Sequence, residues 1–176
     1  MRHPGFVFAA AALAATLAGC GKSPSNTQSQ NSQASSSQQP GAPGATTTAE
    51  PTDEQKKALV ASLPAPFNTG DLADGEAKVA ICKSCHTLTP GGPDMTGPNL
   101  NGIFGRKVAS RPGFTYSDGL KAQSFTWDAP HLDQWLTDPK AMVPNTKMTF
   151  PGFKDPKDRI DVIAYLKAET SPPPKS

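Results

Sequence analysis

Cysteine is scarce in this chain: three in 176 residues, at Cys20, Cys82 and Cys85. A structural zinc site built on the close pair Cys82 and Cys85 would need two more Cys or His ligands at a matching spacing, and none is there. Strand signals are also missing. No run alternates apolar and polar residues, so a dithiol in a thioredoxin-like βαβ setting is excluded. Charge imbalance is small; a formal net charge of +2 gives no reason to expect nucleic acid or an acidic membrane surface as partner. Hydrophobic residues make up only 36% of the chain, low for a globular protein, and the deficit is local. From Gly21 to Glu50 there is no Leu, Ile, Val, Phe, Tyr or Trp. Such a segment cannot bury enough apolar surface to offset chain entropy, so it is expected to be disordered.

The N-terminus carries an address. Arg2 and His3 precede an apolar run of thirteen residues, Phe6 to Ala18, interrupted only by Thr16. That is too short to span a bilayer comfortably and suits the core of a signal peptide. It ends Leu17-Ala18-Gly19-Cys20, which resembles the lipobox of bacterial lipoproteins. The expectation is a signal peptide over 1–19 and a lipidated Cys20 opening a linker over 20–50. The domain would then sit on the periplasmic side of a bacterial membrane, lipid-anchored. Gly21 follows the cysteine, which leaves inner or outer membrane open. Thirty flexible residues span roughly 30 Å r.m.s. and at most about 100 Å taut.

The chemistry is concentrated in Cys82-Lys83-Ser84-Cys85-His86, a C-x-x-C-H attachment signature for a c-type haem. Two thiols three positions apart lie about one helical turn from each other. They can add to two vinyl groups along one side of a porphyrin, with His86 next to offer a ring nitrogen to the iron. With Cys20 taken by lipid, no disulfide remains to be made.

Helix signals surround the motif. Thr52 and Gln55 form a capping box that opens a short helix in an extension over 51–69, closed by Pro64 and Pro66. Asp71 predicts a helix running through Ile81 into Cys82 and Cys85. Loop is expected from Thr87 to Pro98 and from Gly102 to Tyr116. A second helix fits Asp128 to Leu136, stopped by Asp138-Pro139. A last one opens at Asp155-Pro156 and ends at Ser171 in a frayed tail over 171–176. The domain over 70–170 is therefore read as all-α, small and loop-rich, with a core thin enough to need a porphyrin. For the second axial ligand, Met95 has a short path around the ring from His86, leaving Met142, Met148 and the nitrogen alternative His131.

From Gly70 to Lys167 the chain resembles class I c-type cytochromes of the mitochondrial cytochrome c type. The resemblance rests on C-K-S-C-H, Gly97–Arg106 (G-P-N-L-N-G-I-F-G-R), Gly113–Asp118 (G-F-T-Y-S-D), Trp127, T-K-M-x-F at 146–150 and A-Y-L-K in the last helix. It implies a cytochrome c fold around one covalent haem c, with His86 and Met148 as iron ligands. It implies that the Pro98 carbonyl fixes the His86 tautomer and that Arg106, Tyr116 and Trp127 surround the propionates. Thr146 would hydrogen-bond inside the pocket, and Phe150 would cover the haem edge. Lys83, Lys140, Lys147 and Lys154 resemble the family's docking lysines, although from Gly70 onward 13 basic side chains face 12 acidic ones. Three positions depart: Trp135 where a Tyr is common, Leu120 for a polar residue, and Val79 for an aromatic. The expected role is a monomeric one-electron carrier, not an enzyme, with no small-molecule substrate. Its partners would be a quinol-oxidising complex or dehydrogenase and a terminal oxidase or reductase. The alternatives are a peroxidase-type haem enzyme and an electron-transfer subunit of one dehydrogenase complex.

Overall fold

The structure, a computed structural model, describes residues 51–173. The expected signal peptide, Cys20, the linker and the end of the tail lie outside the described residues. In order the chain forms α1 (Asp53–Ala61), a 3₁₀ turn (Phe67–Thr69), α2 (Leu72–Val79), a second 3₁₀ turn (Cys82–Ser84), α3 (Asp118–Lys121), α4 (Ala129–Thr137), α5 (Pro139–Met142) and α6 (Pro156–Thr170). Among the described residues the pairing of extended chain is limited to one antiparallel bridge, Lys107 with Thr126. The described chain is all-helical and loop-rich.

Local side-chain chemistry starts each helix. The Thr52 hydroxyl accepts the Gln55 N–H at 3.3 Å while the Gln55 side chain accepts the Thr52 N–H at 2.8 Å, a reciprocal capping box. Asp71, Asp128 and Asp155 each accept N–H groups of the first turn of α2, α4 and α6, satisfying donors that have no partner inside the helix. Two helices escape the sequence pattern. Asp138-Pro139 ends α4, and the same pair caps and opens α5. Ser117 caps the one-turn α3. The helix expected to reach the cysteines stops at Val79. There the chain tightens, and the Cys82 carbonyl accepts the N–H groups of both Cys85 (3.0 Å) and His86 (2.9 Å), a common way to finish a helix with 3₁₀ geometry.

α6 is the spine, with Val162, Ile163, Ala164, Leu166 and Ala168 all buried. α2 crosses it at closest approach through Gly75, where an added Cβ would meet the Asp161 carbonyl and lie 2.7 Å from Tyr165 Cβ. A larger residue there has nowhere to go. Val79 is fully buried beside this crossing, so the smaller side chain is packed, not loose. On another face of α6, Val60 of α1 packs against Ala164 and Ala168. Lys56 pairs with Glu169 at 2.5 Å, and Leu63 and Phe67 enter the main core. Arg159 ties α6 to α4 through Asp133 (2.7 Å) and grips the approaching loop through the carbonyls of Phe153 (3.0 Å) and Lys154 (3.3 Å).

The two cap bonds from Asp74 and Ala73 hold the Asp71 carboxyl below its ordinary value. Its stabilising effect is fully present above about pH 4, the unfolded value, and is lost as pH falls through the lower folded value. Asp71→Asn keeps a capping side chain without the titration. Urea midpoints stepped through acid pH are expected to fall less steeply for the variant; identical slopes would contradict the assignment.

Candidate haem site

A cavity of about 730 Å³ opens in the middle of the fold, within the roughly 300–1,000 Å³ usual for cofactor sites. Its walls come from the 81–86 turn, the 96–106 loop with Ala109, the 113–120 segment, Trp127, α4, the 146–151 loop and Leu166 of α6. All ten residues singled out for the cofactor border it: Cys82, Cys85, His86, Pro98, Arg106, Tyr116, Trp127, Thr146, Met148 and Phe150. The other sulfur and nitrogen candidates do not. Met95 is 48% exposed, Met142 lies against a shallow groove between α4 and α5, and the His131 ring nitrogen bonds Asp128 at 2.6 Å.

The turn after α2 sets the thiol side. Cys82 and Cys85 are both half-buried free thiols, and burial pushes the Cys82 thiol up to about 11. A neutral thioether at that position carries no charge to desolvate. His86 is held in one orientation, with Nδ1 2.7 Å from the Pro98 carbonyl oxygen. A carbonyl only accepts, so Nδ1 carries the proton and Nε2 keeps its lone pair. Burial lowers the His86 pKa against the opposing effect of the Pro98 bond, favouring the neutral ring that a metal requires. Gly97 is obligatory beneath it, because a Cβ there would strike the imidazole.

Arg106 gives the clearest sign of what the cavity takes. Its guanidinium is half-buried and bonds the carbonyls of Asn101 (3.3 Å) and Asn99 (3.1 Å). No carboxylate pairs with it among the described residues, and burial lowers its pKa. A desolvated cation facing a cavity calls for an anionic group inside, as a porphyrin's carboxylates would supply. Burial raises the pKa of Tyr116 alongside, keeping its hydroxyl a donor. Trp127 is fixed from both sides. Its main-chain N–H donates to the Arg106 carbonyl and its main-chain carbonyl accepts the Gly105 N–H, each at 2.9 Å, while its ring packs edge-on to Phe125 and Trp135.

The 146–151 loop brings the sulfur. Thr146 is buried, and its hydroxyl accepts the Met148 N–H at 3.3 Å. Phe150 is braced edge-on by Phe153, centroids 5.0 Å apart. Trp135 and Leu120 both line the cavity, so two of the three departures make its wall more apolar. The four lysines are all exposed. Lys147 borders the cavity, Lys83 lies 5.6 Å over the Tyr165 ring, and Lys154 reaches the Thr137 carbonyl at 3.0 Å.

Sequence patterns miss the residues that stiffen the long loop. Asn99 is fully buried and bonded on every side. Asp94 accepts its N–H at 2.7 Å and the Arg111 guanidinium at 3.0 Å. These bonds have no period. The available signal is an Asn directly after Gly97-Pro98 in a loop rich in Thr, Pro and Gly.

No family model matches the chain. It is 47% identical to cytochrome c2 of Rhodomicrobium vannielii over 112 residues, 64% of this chain and 89% of that protein. It is 40% identical to cytochrome c of Cannabis sativa over 111 residues, 61% of this chain and the whole of that protein. The solved structure of cytochrome cH from Methylobacterium extorquens matches 56% of this chain and 98% of its own, with 49% identity and a TM-score of 0.51. Identity at this level, running nearly the full length of bacterial and plant relatives, means that the chain belongs to the class I cytochromes c, a family built around one covalently attached haem c.

Proposed function

We propose that the protein is a one-electron carrier, in which Cys82 and Cys85 would hold a haem and His86 and Met148 would ligate its iron. One observation carries this reading: the C-x-x-C-H turn, with His86 Nε2 kept unprotonated, and Met148 border a single cavity. When bound, the haem supplies a site that takes up and gives back one electron.

The chain's own residues do the rest. Cys82 and Cys85 anchor the ring to the turn, and the Pro98 carbonyl keeps His86 basic at Nε2. The Met148 thioether is a soft, weak donor that favours the reduced state. The apolar walls, including Leu120 and Trp135, exclude water and disfavour added positive charge, while Arg106 and Tyr116 hold the carboxylates. A peroxidase-type enzyme needs one axial position open, and Met148 would close it. The relatives named above are cytochromes c, which supports a carrier rather than an enzyme.

On this reading the partners are a quinol-oxidising complex or dehydrogenase on one side and a terminal oxidase or reductase on the other. Docking uses the cavity border at Lys147 and at Ile81, which is 54% exposed, together with the exposed lysines Lys83, Lys140 and Lys154. Cys20 carries the lipid, which keeps the monomeric domain at the periplasmic face of a bacterial membrane.

Three measurements check this. Met148→Ala is expected to abolish the long-wavelength absorption of thioether-bound ferric haem and to lower the potential by a sizeable part of the roughly 0.8 V that axial ligands span. An unchanged spectrum and potential would rule Met148 out. Lys147→Glu is expected to slow electron transfer to a terminal oxidase about two- to tenfold at low salt, the gap closing as salt screens it; a salt-independent rate would remove the lysines from docking. Cys20→Ser is expected to move the protein from the membrane to the soluble periplasmic fraction. Retention in the membrane would rule out lipid at Cys20 as the anchor.

A further inference from the structure

We infer that Asn99 is a positioning residue for His86: it fixes the Pro98 carbonyl, and through it the direction and basicity of the imidazole. This inference rests on the reading of His86 as a haem ligand. The Pro98 carbonyl and the Asn99 N–H belong to one planar peptide unit, so whatever holds Asn99 also holds that carbonyl. Asn99 is bonded at every polar atom. Its side-chain Nδ2 donates to the Thr87 hydroxyl at 2.6 Å and to the Thr89 carbonyl at 3.0 Å. Its Oδ1 accepts the Asn101 N–H at 2.8 Å. Its own N–H goes to Asp94 at 2.7 Å, and its carbonyl accepts from Arg106 at 3.1 Å.

The consequences run in two directions. Toward the thiol turn, Asn99 stitches the loop to Thr87, the residue after His86. The main-chain bond from Leu100 N–H to the Thr87 carbonyl (2.8 Å) and that from Gly97 N–H to the Cys85 carbonyl (2.9 Å) close the same gap. The His86–Pro98 bond therefore sits inside a clamp whose only fully buried side chain is Asn99 among the residues forming it. Toward the carboxylate side, the same residue's carbonyl helps to seat the Arg106 guanidinium. One residue thus links the carbonyl that orients the imidazole to the cation that would meet a porphyrin's carboxylates. Burial makes the clamp costly to open, since an unpaired amide in that place has no water to turn to.

The test uses the haem-loaded protein in its reduced, diamagnetic form. The readout is the solvent exchange rate of the His86 Nδ1 proton by NMR, with the oxidised optical spectrum as a second channel. Asn99→Ala is expected to speed that exchange about tenfold or more. Thr87→Val, which removes the bond from Asn99 and the hydroxyl's own bond to the Pro93 carbonyl (2.7 Å) with little change of volume, is expected to speed it less, and it decides the matter where Asn99→Ala does not accumulate. A retained thioether band in both variants shows that the ligand set is intact. Exchange at the wild-type rate in folded variants that merely melt earlier would overturn the inference, since a scaffold role moves stability alone. A wild-type spectrum lacking the resonances of a haem-bound imidazole would overturn the assignment of His86 itself, and this inference with it.

Discussion

The hydrogen bond from His86 Nδ1 to the Pro98 carbonyl is the contact on which the site depends. It decides which ring nitrogen carries the proton, which way the other points, and how basic that other is. The bond joins two segments without regular structure, the end of the C-x-x-C-H turn and the loop that begins the G-P-N-L motif. Neither could hold it alone. The turn is fixed by its helical bonds to the Cys82 carbonyl and by α2 behind it, which is locked to α6 at Gly75. The loop is fixed by bonds of a different kind, from buried polar side chains to backbone.

That division follows from the small size of the domain. A large cavity opens inside the core cluster, walled by Leu132, Trp135 and Leu136 from α4, Leu166 from α6, and Ile103 and Trp127 from the loops. A bulky apolar ligand joined to the turn would complete their contacts, and its binding free energy would then be part of the folding free energy. The extension ahead of the domain adds to the other side of the balance. Leu63 and Phe67 join the main core cluster, and Val60 packs on Ala164 and Ala168 of α6.

Legibility in the sequence follows the range of the interaction. Caps act over two or three residues, so Thr52, Asp71, Asp128 and Asp155 could be read directly and their helices start where expected. Helix ends depend on what the chain must do next, and the one before Cys82 was placed too late because tightening there serves the turn. The double use of Asp138-Pro139, as stop and as start, leaves the same trace in sequence as a stop alone. In the site, the C-x-x-C-H turn spoke for itself by its chemistry. The remaining wall residues emerged through family resemblance, and the structure brings all ten to one cavity. Asn99, Asp94 and Arg111 stayed hidden because a network of side chain to backbone bonds has no period and no fixed spacing.

Electron transfer without rearrangement asks for fixed donors, and loops are ordinarily the most mobile part of a protein. Here the loops are made to behave as scaffold. Asn99 and the Asp94–Arg111 pair pin the segment below the imidazole. Arg159, nearly buried on α6, holds the carbonyls of Phe153 and Lys154 and so steadies the end of the segment that carries Met148 and Phe150. Gly152 in turn tucks under the end of α4, where a Cβ would strike the Thr137 carbonyl. Opening the bonds of Asn99 or Arg159 leaves a buried polar group stranded, which makes opening unfavourable in a way that a surface loop's solvated backbone is not. The polar residues inside this small domain therefore complement its apolar core: where the cavity interrupts the packing, hydrogen bonds fix the rim, and the geometry at His86 and Met148 is inherited from that rim.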